Sequence, residues 1–430
     1  MELEIILLVV CMSAAGASVG MFSGLVPGIH VNTLTAVMLV AYPSIGAFIS
    51  LFADPSYVPV LLSACIVSAA VVHSFVNYVP SVFIGVPDQD TAMSVLPGHR
   101  LVLEGKGMVA VRASAIGSLV GAVTAVIVAV PLQYLMMNGL NTIFQEMTVM
   151  MLVIAVIALV LTERTAKGRC FSVMLIIMSG MLGCVCMFMP VPFSGLVFDG
   201  DLLFPLLTGL FGIPTLITSR NAEIPPQNDD VRYPVTPASG LKGVITGSVV
   251  GWFPGITATA GAAFTRLFVN EDGPERFIAL VSSIGTAAVV FALITLSVNG
   301  KGRSGTMLAV REILGNGIMG TGNGTFMLML LSVSIAAAVG YWASIRSGKI
   351  ISNFVPKMNI KKMNAAIAAF IVFLTVMMTG AWGIAVLLIS SLVGLIPLSA
   401  GIGRVHLSGC LLMPVILMRF GLDVIFLSLF

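Results

Sequence analysis

Two stretches of the chain join a helix break to side chains that can bind a ligand. In the first, Pro27-Gly28 is followed by His30, Asn32 and Thr33, and in the second Pro254-Gly255 is followed by Thr257 and Thr259. Gly20, Gly24, Pro27, Gly28 and Ile29 recur as Gly247, Gly251, Pro254, Gly255 and Ile256 at one constant offset (254 − 27 = 227). Proline lacks an N–H and glycine imposes no steric preference, so a helix stops at each pair. A helix restarting beyond the break aims free N–H groups, and the positive end of its dipole, at whatever sits there. A carboxylate is the natural guest, with the hydroxyls and the Asn32 amide completing its hydrogen bonds. One such break alone reads equally as a kink with a threonine cap. Matching breaks in two halves of a membrane protein point to a central site. We therefore assign Pro27, Gly28, His30, Asn32, Thr33, Pro254, Gly255, Thr257 and Thr259 to substrate binding.

A second polar set stands apart from the breaks. Residues 84–93 carry Asp88 and Asp90 and are too polar for lipid yet too apolar for a free loop. A hairpin buried in protein fits such a stretch. Residues 299–324 hold the corresponding place downstream, with Asn299, Ser304 and Thr306. Carboxylates at membrane depth are expensive and tend to be functional, so these five residues are candidates for coupling-ion binding or for shaping the hairpins. Arg303 would suit an anionic substrate, but a side chain snorkelling to the interface is the stronger reading. Residues 97–107 read as a solvated connection. His73 and Asn77, four apart on one span, share a face and read as an interhelical hydrogen-bonding pair.

The elements that position these groups follow from composition. Of 430 residues, 58% are hydrophobic and 9% charged, and the net charge is +3. This excludes an electrostatic nucleic-acid binder. Uncharged runs such as 58–72, 113–137 and 364–396 reach the roughly 20 residues that a bilayer demands. They do not alternate, which excludes a β-barrel. The reading is an all-α polytopic membrane protein of roughly 11–13 helices, with spans expected near 5–26, 29–52, 58–78, 109–137, 147–161, 170–189, 204–218, 277–298, 325–345, 364–378 and 382–398. The acidic N-terminus has no basic leader, so the first run is expected to be a retained span.

The polar stretch 219–242 divides a first membrane repeat, 1–218, from a second, 243–430. Basic residues crowd 100–112, 164–169 and 346–362, which places those loops in the cytoplasm. The two breaks are then entered from opposite sides, making the halves inverted repeats built with broken helices and re-entrant hairpins. Lys301, Arg303 and Arg311 fall on the non-cytoplasmic side, against the bias. The six cysteines are scattered, and Cys184 and Cys186 lack the further ligands of a metal site. No metal, cofactor or enzyme constellation is expected, and with no Walker loop ATP is not the energy source.

Several motifs in order resemble the large membrane subunit of tripartite tricarboxylate transporters, the TctA family. They are 20–33 and 247–264, then 84–87, 97–99, 104–107 and 115–118, and finally Gly209 to Pro214. The resemblance covers nearly the whole chain. It implies ion-driven uptake of a tri- or dicarboxylate, Na+ or H+ being the coupling ion. It also implies a small membrane subunit and an extracytoplasmic solute receptor as partners. Two departures mark a divergent branch. Asp88 stands where the family pattern has glycine, and the second hairpin reads Leu296 to Gly300 without the Gly-x-Pro-Gly expected there. The sequence thus reads as a secondary transporter moving a small organic anion by alternating access in the lipid bilayer. An intramembrane enzyme or lipid-handling protein using Asp88, Asp90 and His73 is the alternative, and a channel is a third.

Overall fold

The computed structural model describes residues 3–26, 31–85, 90–188, 202–218, 224–228, 237–253, 257–266, 268–269, 271–357, 359–424 and 428. Among them every regular element is a helix. In the first half these are α1 (Leu3–Leu25), α2 (Val31–Val40), α3 (Tyr42–Ile49), α4 (Val58–Val76), α5 (Tyr78–Phe83), α6 (Ala92–Leu103), α7 (Gly107–Leu135), α8 (Asn141–Leu161), α9 (Ala166–Phe188), α10 (Leu203–Leu207) and α11 (Ile213–Thr218). The second half has α12 (Pro237–Trp252), α13 (Ala258–Thr265), α14 (Pro274–Asn299), α15 (Gly305–Leu314), α16 (Gly324–Phe354), α17 (Ile360–Ala400) and α18 (Gly409–Phe420).

Seven helical stretches among the described residues are long and apolar enough to cross a membrane, and 149–161 and 203–212 form shorter apolar helices. Two of the seven are interrupted. Asn138 and Gly139, the latter at φ 112°, separate α7 from α8. Gly380, at φ 61°, splits α17, so the spans expected at 364–378 and 382–398 are distinct segments. α4–α5 and α14 are the central pair: 89% and 83% of their apolar windows are buried, against 28% for α1. Large side chains such as Phe22, Ile127, Ile157, Phe373, Trp382 and Leu392 stay exposed. In water they would form a sticky surface; in a bilayer they are the lipid contact.

Small residues bring the helices together. Gly16, Gly20 and Gly24 of α1 face the carbonyls of Cys65, Ala69 and His73 on α4. Gly243, Gly247 and Gly251 of α12 face those of Leu280, Ile284 and Ala288 on α14. The first members repeat at offset 227 and the second at 215 (280 − 65), so the two helix pairs share one packing pattern. Such close approach leaves no room for a Cβ, as expected where membrane helices associate through glycine. Hydroxyls reinforce the contacts. The Ser68 Oγ donates to the Ser13 carbonyl at 2.6 Å, and the Ser283 Oγ donates to the Gly240 carbonyl at 2.6 Å.

Helix directions follow from the order of contacts. α1 and α4 run parallel, as do α12 and α14. Gly117 and Gly121 meet Ala279 and Ser283, so α7 runs with α14. Ser332 bonds the Ala64 carbonyl while Gly340 meets Phe75, so α16 runs with α4. Gly348 lies on Val111, whereas Gln133 bonds Gly320 and Gly322 ahead of α16, so α7 opposes α16. α1, α4 and α16 therefore point one way and α7, α12 and α14 the other. The same contacts set the basic stretches 100–112 and 346–362 on one side of the molecule.

The remaining helices form a flanking group. α9 packs on α18, and the segment from α10 to α11 packs on α17. Part of the polar stretch between the halves is docked rather than free. The Gln227 side chain accepts from the Gly107 N–H and donates to the Val102 carbonyl, and the Asn228 N–H donates to the Gly105 carbonyl. α12 already begins at Pro237, inside the stretch read as linker. Residues 97–107 also differ from their reading as a solvated connection. Most belong to α6, where Gly98 packs on Val82.

The glycine contacts carry a stability prediction. Gly16→Ala and Gly243→Ala should each cost about 1–3 kcal/mol through overpacking. This should appear as a lower melting temperature and a smaller monodisperse peak in detergent. Gly317→Ala, which meets nothing within 4 Å, should leave both unchanged.

Candidate functional site

The helices that follow the two breaks begin deep inside the molecule. Val31, on the first turn of α2, packs with Ala69 and Ala70 midway along α4–α5, with Val19 and Val289 beside it. Ala258, on the first turn of α13, faces Gly285 midway along α14. These pairs obey the same two offsets, since 258 − 31 is 227 and 285 − 70 is 215. Pro27, Gly28, His30, Pro254 and Gly255 lie outside the described residues, as does the Thr33 side chain.

Each restarted helix meets the hairpin of the opposite half. The Thr306 N–H, on the first turn of α15, donates to the Asn32 Oδ1 at 3.1 Å. The Ala258 N–H donates to the Asp90 Oδ1, just ahead of α6, at 3.1 Å. So the first half's break supplies an acceptor to the second half's hairpin, and the first half's hairpin supplies one to the second half's break. Helix packing repeats the exchange: α15 lies on α2 and α4, and α6 lies on α14 and α13.

Local capping fits this arrangement. The Ser304 Oγ accepts from the Met307 N–H at 3.3 Å and shares a 2.8 Å hydrogen bond with the Thr306 Oγ1. The Thr257 Oγ1 accepts from the Ala260 N–H at 3.3 Å. Both are side-chain N-caps that satisfy part of a free helix start. Thr259 is buried in the first turn of α13, and Thr35 caps back to the Asn32 carbonyl at 2.9 Å. Beside Ser304, Arg303 is partly buried, and its Nε makes no hydrogen bond among the described residues.

Thus Asn32, Ser304 and Thr306 come together, as do Asp90, Thr257 and Thr259. Asn299 goes elsewhere. Its Nδ2 reaches the Asn141 Oδ1 at 3.4 Å and its Oδ1 accepts from the Lys301 N–H, fixing the exit of α14. Asp88 lies outside the described residues. At the far end of α6, hydrogen bonds from Lys106 and Arg100 hold the Glu104 carboxyl below the usual carboxylate range.

Sequence reasoning gave His73 as an interhelical hydrogen-bonding residue but missed its partner and several other polar groups near the site. The Ser23 Oγ lies 2.8 Å from the His73 Nδ1, the Ser74 Oγ 3.1 Å from the Thr286 Oγ1, and the Ser81 Oγ 2.7 Å from the Thr91 Oγ1. The available signal was their spacing, since 73, 77 and 81, like 74 and 78, fall four apart on a helix.

A multi-pass helical membrane protein is the class that the fold defines. More narrowly, the chain belongs to the tripartite tricarboxylate transporter TctA family, whose model matches residues 10–409. It is also similar to an uncharacterized protein of Methanocaldococcus jannaschii. The two are 27% identical over 414 residues, covering 94% of this chain and 96% of that protein. No solved structure matches the chain.

The reciprocal caps make a direct prediction. Asn32→Ala should free the start of α15, and Asp90→Ala the start of α13, each at about 1 kcal/mol. Hydrogen–deuterium exchange should therefore rise in 304–308 for the first variant and in 257–261 for the second. Unchanged exchange would remove the capping role.

Proposed function

We propose that the chain is the translocating subunit of a secondary transporter for a small organic anion, a tri- or dicarboxylate. The observation that carries this reading is the pair of caps joining each broken helix to the opposite hairpin. The anion is held between the first turns of α2 and α13. There the positive ends of the restarted helices meet the Asn32 amide and the Thr257 and Thr259 hydroxyls. Arg303 adds positive charge on the α15 side.

In this reading the halves 1–218 and 243–430 are inverted repeats. The opposed directions of α1 and α12 and the shared offsets support it. Two inverted halves that grip one site can rock about it and open it to each side in turn. A cation gradient, Na+ or H+, drives uptake. The membership in a tripartite family supports a small membrane subunit and an extracytoplasmic receptor as partners. The chain acts as a carrier and performs no bond-making chemistry.

Uptake of labelled citrate and succinate tests the assignment. Asn32→Ala and Thr259→Ala should each reduce uptake about tenfold, the worth of one hydrogen bond to a charged group, at undiminished membrane abundance. Wild-type uptake in both variants would count against the site.

A further inference from the structure

The turn between α8 and α9 and the end of α17 enclose a cavity of about 490 Å³, a volume in the range of small-ligand sites. Its wall includes Glu163, Thr165, Lys167 and Phe171 on one side and Ile396 and Ser399 on the other. The first turn of α9 and the last turn of α17 border it, so it lies where two spans leave the membrane. The Arg and Lys residues of 164–169 assign this surface to the cytoplasmic side. Phe171 and Ile396 are the apolar part of the wall, and the near neighbours Leu161 and Leu398 are exposed.

The polar part holds two opposite charges that do not meet. The Glu163 Oε1 lies 3.1 Å from the His406 Nε2 and accepts from the Gly403 N–H at 3.2 Å. Burial pushes the His406 imidazole below its usual value against the pull of Glu163, so the ring is neutral at neutral pH. Burial raises the Glu163 carboxyl, but the bonds from His406 and Gly403 outweigh it and hold the group below the usual carboxylate range. Glu163 is therefore ionised, and no Lys or Arg pairs with it among the described residues. Its Oε2 carries no hydrogen bond, and Lys167 makes neither a hydrogen bond nor an ion pair among those residues. Arg169 stands beside the wall, its Nε bound to the Glu163 carbonyl at 3.0 Å. The Ser399 hydroxyl donates to the Ile396 carbonyl at 2.9 Å and so presents lone pairs. The Thr165 Oγ1 accepts from the Gly168 N–H at 3.0 Å and keeps a proton to give. The cavity thus offers two donors, Lys167 and Thr165, and two acceptors, Glu163 and Ser399.

We propose that this cavity binds the headgroup of an aminophospholipid, with the phosphate on Lys167 and Thr165 and the ammonium on Glu163 and Ser399. A phosphate needs donors and a positive charge, and a primary ammonium needs acceptors and a negative one. A headgroup that carries both on a short linker matches the wall on each count. An anionic headgroup would set its phosphate against the uncompensated Glu163, and a quaternary ammonium has no N–H to give it. Phe171, Ile396 and the exposed leucines receive the start of the acyl chains, which a soluble zwitterion lacks. The turn Arg404–Ser408, which carries His406, also packs on α13. A bound lipid therefore braces the segment behind the second break. The site owes nothing to the transported solute, so it goes beyond the transporter reading and stands without it.

The test melts the full chain, purified in detergent and stripped of native lipid. It is titrated with phosphatidylethanolamine, phosphatidylcholine or phosphatidylglycerol of identical acyl chains, or with soluble phosphoethanolamine. Phosphatidylethanolamine should raise the melting temperature saturably, because a ligand of the folded state alone stabilises it. The other three should not do so at the same concentration. Glu163→Gln keeps an oxygen for Gly403 and His406, and Lys167→Met removes no hydrogen bond. Each should move the midpoint of the rise about tenfold to higher lipid, the worth of one charge-assisted hydrogen bond. If Glu163→Gln does not fold, Lys167→Met decides alone. Equal rises with all three lipids, or an unmoved midpoint in Lys167→Met, would overturn the site. A rise with phosphatidylglycerol alone would make it an anionic site, and an equal rise with soluble phosphoethanolamine a solute site. Either result overturns the proposal, as does the absence of any rise.

Discussion

Backbone N–H groups freed in the middle of a membrane must find acceptors, and that requirement arranges the centre of this molecule. Lipid offers none, and an unsatisfied amide costs several kcal/mol. A helix that restarts at Val31 or Ala258 could meet the requirement within its own half. The start of α13 finds one acceptor in its own Thr257 and another across the halves in Asp90, and the start of α15 finds one in its own Ser304 and another across the halves in Asn32. Neither half closes its own site. The two are interlocked, and the position of each hairpin is tied to the tip of the other half's broken helix.

Such interlocking needs the central helices to be close and the frame around them stiff. The glycines of α1 and α12 supply the first condition, by letting each lie on the backbone of α4 or α14. Two glutamines help with the second. Gln133 donates to the Ser297 Oγ and the Gly320 carbonyl and accepts from the Gly322 N–H, which fixes the chain between α15 and α16. Gln227 does the equivalent for the chain between α6 and α7. What the frame leaves less constrained is the contact between tips and hairpins, where single side-chain caps hold helix starts together.

Much of this was legible in the sequence, and the parts that were not share a cause. Pro-Gly in an apolar run is a local signal that weakens a helix but need not end it, since Pro97-Gly98 lies inside α6; the recurrence of the pair in both halves is what could be read directly. The apolar runs likewise marked the spans, since a bilayer demands length and hydrophobicity at once. The second offset, 215, was faint because Cys65, Ala69 and His73 differ in type from Leu280, Ile284 and Ala288; Ser68 and Ser283 match, but what the pairs chiefly share is what packs on them. The docking of Gln227 was hidden by its polar setting, which reads as a loop until the hairpin beside it is known. His73 and Asn77 could be seen to share a face. The bond between Ser81 and Thr91 depends on α5 and α6 folding back, which no local spacing reveals.

Substituted-cysteine accessibility probes the central claim most directly. In a background without the native cysteines, Asn32→Cys and Thr257→Cys would each be treated with a water-soluble, membrane-impermeant thiol reagent, in right-side-out and in inside-out vesicles. The account has both positions lining one aqueous site at mid-membrane that opens alternately to each side. Both should then be modified from both faces, and more slowly once a transported carboxylate is bound. If neither position reacts from either face, or each reacts from one face only and is indifferent to substrate, the two broken helices do not share a transport site.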